Sequence, residues 1–185
     1  MMKMEVRPIA AIVASLESDF GSASVAEKKQ ATAVADLVPA LYVNVRKRVG
    51  VGEIAADFTW PSAPNLNDEN RLRDCPLCGL GRQWWLFSVT GTGDAWLVRR
   101  APRPADEVSF LNHDEESRAI PHSLGISFGE WLQLADVMRQ VDRASKADRS
   151  LLDRRYRPVP EFEEAIRAAL ARVSPSLSRT YPLGL

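Results

Sequence analysis

Apolar residues recur at helical spacing at both ends of the chain and at strand spacing in the middle. Over 5–19, Ile9, Ile12, Val13 and Leu16 share one face, and Pro8 suits a first turn, so a helix is predicted there. Gly21 and Ser22 break it. Ser24 and Glu27 stand at capping-box spacing, which predicts a second helix to about residue 37. Pro39 opens a third, with Leu41, Tyr42, Val45 and Val49 inward and Gly50 as its stop. Arg46, Lys47 and Arg48 fall in its last turn, where cations suit the helix dipole. Residues 53–60 then alternate, with Ile54, Ala56, Phe58 and Trp60 on one side, as in a half-buried strand.

The stretch 61–82 is rich in Pro, Asn and charge and predicts a loop, which carries Cys75 and Cys78. Residues 83–90 place bulky groups on both faces, which implies a central strand covered on both sides. Gly91, Thr92, Gly93 and Asp94 supply a turn. Residues 95–100 return as the partner strand, closed by Pro102 and Pro104. Residues 108–112 form another strand. Ser127 and Glu130 repeat the capping-box spacing before Trp131, Leu134, Ala135, Met138 and Val141, which lie at helical intervals. The charge-dense segment 142–157 either extends that helix or links it to the next. Pro160 opens a last helix with Phe162, Ile166, Leu170 and Val173 inward, and 174–185 reads as a tail.

The pattern predicts one α+β domain: a twisted, mostly antiparallel sheet over 51–113, flanked by N-terminal helices in 1–50 and C-terminal helices in 127–173. Composition adds little to this. Lys plus Arg and Asp plus Glu are equal at 24 each, which argues against a general nucleic-acid binder. The charge is uneven, however. Residues 101–140 hold seven acids against three bases, and 141–185 hold nine bases against six acids. No stretch is apolar for the ~20 residues of a membrane span, and no secretion signal stands out. A cytoplasmic protein with reduced cysteines is expected.

The candidate chemistry weakens on inspection. Cys75 and Cys78 have knuckle spacing, but a structural zinc needs four ligands. His113 and His122, the chain's two histidines, lie nine residues apart, outside the usual gap. No resident metal or other cofactor is expected. The Gly91–Gly93 turn lacks the context of a phosphate loop. His113 with Asp114, Glu115 and Glu116 reads as a strand end, and no nucleophile–base pair accompanies it. A non-enzymatic protein is expected.

Four segments, in order, resemble one family. They are Val38-Pro39-Ala40-Leu41-Tyr42-Val43-Asn44-Val45; Gly93-Asp94-Ala95-Trp96-Leu97; Val108-Ser109-Phe110-Leu111-Asn112-His113-Asp114; and Ser127-Phe128-Gly129-Glu130-Trp131-Leu132. They are similar to motifs of the SUKH superfamily, which contains many bacterial toxin-immunity proteins and the fungal cell-wall synthesis regulators. The likeness spans about 23–141. It implies an α+β fold and a role in binding and blocking a cognate toxin, often a nuclease, encoded nearby. An acidic face would then compete with nucleic acid for a basic cleft. Contacts are expected from Asp94, Asp114, Glu115 and Glu116, with Trp60 at the edge of the inserted loop. A regulatory adaptor binding housekeeping partners is one alternative. A metal- or nucleic-acid-binding protein built on Cys75 and Cys78 is another.

Overall fold

A computed structural model describes residues 4–73, 83–100, 105–114, 121–177 and 181–182. Three helices come first: α1 (Ile9–Phe20), α2 (Val25–Ala33) and α3 (Ala40–Arg46). The strands β1 (Gly52–Ala55) and β2 (Phe58–Trp60) follow, then α4 (Ala63–Arg73). The strands β3 (Trp84–Val89), β4 (Ala95–Arg99), β5 (Ala105–Leu111) and β6 (His122–Ser127) lead into α5 (Phe128–Ala147) and α6 (Pro160–Val173). All six strands form one sheet in the order β1-β2-β3-β4-β5-β6, every neighbouring pair antiparallel. The molecule is a single α+β domain.

Both capping boxes form. In α5, the Ser127 hydroxyl accepts from the Glu130 N–H at 3.2 Å, and Glu130 Oε2 accepts from the Ser127 N–H at 2.7 Å. Two otherwise orphaned backbone donors are thereby satisfied, which starts the helix sharply where β6 ends. Gly129, the second residue of α5, lies where the start of α1 packs closely against the helix. A Cβ at this position would lie 2.8 Å from the Ile9 side chain.

The core is an aromatic cluster between the sheet and α3 and α5. Trp131 touches the rings of Phe58, Trp60, Phe87, Trp96 and Phe128 at centroid distances of 4.7 to 6.3 Å. Its offset and edge-on contacts are the arrangements that ring quadrupoles favour. In β3, Trp85, Leu86, Phe87 and Ser88 are buried in succession, as expected of a central strand.

Four local predictions need correction. Residues 53–60 are two strands rather than one. The pairing of Ala55 with Phe58 leaves Ala56 and Asp57 as a two-residue hairpin turn, with Asp57 at φ 66°. Ala56, predicted inward, is therefore exposed. An Asp at positive φ is tolerated because its short polar side chain bonds locally.

The predicted loop at 61–82 begins with α4 instead. Pro64 is tolerated in its first turn, and Leu66 and Asn70 are buried. Asn70 carries the tertiary reason for this helix. Its amide nitrogen donates to the Leu86 carbonyl at 2.9 Å, and its oxygen accepts from the Leu86 N–H at 2.8 Å. A side chain thus completes an edge of β3 that β2, paired only through Thr59 and Val89, leaves open.

β6 was not predicted at all. Finally, the tail is docked in part: Leu177 is buried, and the Ser176 hydroxyl donates to the Leu124 carbonyl at 3.0 Å.

No helix among the described residues is long and apolar enough to cross a membrane.

Candidate binding rim

Antiparallel pairing brings three turns to one end of the sheet: Ala56-Asp57, Gly91-Thr92-Gly93, and the segment after β5 that begins Asn112-His113-Asp114. Each is braced. Trp96 Nε1 donates to the Asp57 carbonyl at 2.9 Å, and the Ala56 N–H donates to Asp142 Oδ2 at 2.8 Å. Gly93, at φ 100°, closes the second turn in a conformation that glycine adopts without steric cost.

Asp94 ties the second turn to the third. Its Oδ2 accepts from the Thr92 hydroxyl at 2.9 Å and from the Thr90 hydroxyl at 3.2 Å. Its Oδ1 accepts from the His113 N–H at 3.0 Å and lies 2.8 Å from His113 Nδ1. On the other side of the ring, His113 Nε2 lies 2.9 Å from Asp114 Oδ1.

The electrostatics follow from this geometry. Burial works to raise the Asp94 pKa, but the bonds from His113, Thr92 and Thr90 outweigh it and hold the pKa below its ordinary value. The Asp94 hydrogen bond raises the His113 pKa, against a smaller opposing effect of desolvation, and Asp114 adds to the rise. With a carboxylate on each ring nitrogen, the imidazolium form satisfies both. Both ring nitrogens are engaged in this arrangement. The arrangement is a clamp between two turns.

Two of the predicted contact residues are not surface groups. Trp60 is 2% exposed, against Tyr42, Phe128 and Trp131, because α4 begins where an open loop edge was expected. Asp94 is 7% exposed, and its carboxylate is taken up by the turns. Asp114 lies at the surface, its side chain 81% exposed, as its position in the chain suggested.

Glu115, Glu116, Cys75 and Cys78 lie outside the described residues. Among the described residues no group of three or more His, Cys, Asp and Glu side chains is placed to hold a metal ion.

Two rim acids escaped the sequence reading, Asp57 and Asp142. Asp57 was assigned to the middle of a strand, and Asp142 to a charge-dense segment with no clear face. Tyr181 lies near both: burial raises its pKa, and the charges of Asp57 and Asp142 raise it further.

Comparison with family models, curated proteins and solved structures finds no match to this chain.

Proposed function

We propose that this protein is an immunity-type binding protein that neutralises a secreted toxin by stoichiometric association rather than by catalysis. The observation that carries the reading is the braced acidic rim. Asp57 and Asp114 lie on turns held by Trp96, Asp94, His113 and Asp142, so little conformational freedom is lost when a partner docks. With Asp57, Asp94 and Asp114 around the single imidazolium of His113, the rim carries net negative charge, which suits a basic partner surface, such as the substrate cleft of a nuclease, and speeds encounter with it. The likeness of the four segments to the SUKH superfamily supports the same reading.

The protein product of the adjacent gene is the test partner. It should co-purify one to one with this chain, and co-expression should protect cells from it. Charge reversal of both rim acids (Asp57→Lys with Asp114→Lys) should slow association by about tenfold or more at low salt, and less at high salt. Absence of both binding and protection would remove the reading.

A further inference from the structure

A second polar cluster lies on the far side of the aromatic core, where α2, α3, β2 and α4 meet. Arg46 is 1% exposed, yet Nε, Nη1 and Nη2 all lack a hydrogen-bond partner among the described residues. Its guanidinium lies over the Trp60 ring, 5.4 Å from the centroid. Trp60 Nε1 is likewise unpartnered among the described residues, and Gln30, 6% exposed, has no well-formed hydrogen bond there, its nearest polar neighbour being the Tyr42 hydroxyl. Buried polar groups are nearly always satisfied, and a buried guanidinium without an acceptor is strongly disfavoured. Together these side chains present buried N–H donors that no described residue accepts from.

The nearby acid does not fill the role. Glu27 is within Coulombic reach of Arg46 but forms no ion pair with it. Its oxygens are taken by the Ser24 N–H and hydroxyl and by the Ala63 N–H.

A cleft of about 540 Å³ lies between α2 and α4, and Gln30 belongs both to its wall and to this cluster, whereas Arg46 and Trp60 do not line it. That volume suits a small molecule. Ala26, Ala33, Ala63 and Pro64 give the cleft apolar walls, Lys29 stands on one side, and Asp68 opposes it. For a ligand in the cleft to reach Arg46, the Gln30 side chain must turn aside from the neighbouring Tyr42 hydroxyl.

We propose that this cleft binds a small monocarboxylic acid. Its carboxylate takes the Arg46 fork, with Gln30 and Trp60 Nε1 as further donors, and its apolar body lies against Ala26, Ala33, Ala63 and Pro64. A planar two-oxygen acceptor matches guanidinium geometry. Arg46 is the one buried cation and Glu27 already lies in its field, so the cluster offers at most one positive charge, which disfavours a dianion. The site is separate from the acidic rim, and its test involves no toxin.

The test titrates ¹⁵N-labelled full-length protein with benzoate, using chloride at equal ionic strength as control and inorganic phosphate as a second arm. Benzoate should shift the Trp60 indole N–H signal saturably, that signal being identified by its loss in Trp60→Phe. At about one hundred times Kd, benzoate should also raise Tm by several degrees. Arg46→Met should weaken binding more than tenfold. Gln30→Leu, which keeps the side-chain bulk, should weaken it several-fold and stands in if the Arg46 variant folds poorly. Equal responses to benzoate and chloride would overturn the proposal, as would benzoate shifts that persist unchanged in both variants. Tight phosphate binding without benzoate binding would overturn the carboxylate assignment.

Discussion

The two polar clusters beside the aromatic core are built on opposite terms. At the rim, Asp94 has a donor for each oxygen, and the imidazole it holds has a carboxylate on either side. Under α2 and α4, Arg46, Gln30 and Trp60 are more deeply buried, and the side-chain nitrogens of Arg46 and Trp60 have no partner among the described residues. The first cluster stabilises the fold and fixes the geometry of a surface. The second destabilises the empty fold and makes it receptive to an anion. Burial of a charged group therefore says little by itself, and the inventory of its partners decides what the group does.

The core that both clusters share sets the scale for testing this contrast. Trp131→Ala removes the ring that joins β2, β3 and β4 to α5 and should cost about 3–5 kcal/mol in urea unfolding. Asp94→Ala should cost about 2–3 kcal/mol, because it strips the acceptor from His113, Thr90 and Thr92 together. Arg46→Met should have the opposite sign. Replacing an uncompensated buried charge by an apolar chain should stabilise the ligand-free protein by about 1–2 kcal/mol. If Arg46→Met and Asp94→Ala proved equally destabilising, the contrast would fail.

The smallest effect is one of pH. The His113 pKa is raised, so its contribution is fully present below the ordinary histidine value and fades as pH rises through the raised one. The Asp94 pKa is lowered, so its contribution is present above the ordinary Asp value and is lost as pH falls through the lowered one. Stability of the clamp should therefore peak between the two, in mildly acidic solution. His113→Gln should flatten the alkaline side of the profile, and NMR titration should place His113 above 6.5. A His113 pKa at or below 6.5 would contradict the double-carboxylate geometry.

Much of the frame was legible because its signals are local. Ser24 with Glu27 and Ser127 with Glu130 start helices through bonds three residues long, and both boxes form as the spacing predicts. The Gly93 turn and the helix opened by Pro160 likewise need only short-range rules. What escaped depends on distant partners. The segment of α4 has the composition of a loop, and Asn70 becomes a helix residue only because Leu86 needs a donor and an acceptor. Leu124 and Ile126 do alternate in β6, but the run is short and interrupted by Gly125. Asp57 was hidden because alternation continues through a two-residue turn.

The sequence by itself determined the α+β class, the helix starts, the inward faces and the turn beside Asp94, since propensity and periodicity act over a few residues. Tertiary structure decided the rest. It put Trp60 in the core, joined Asp94 to His113 from 19 residues away, and left Arg46 without a hydrogen-bond partner among the described residues. Whether a polar atom is satisfied depends on groups brought close by the whole fold, and no local pattern carries that information.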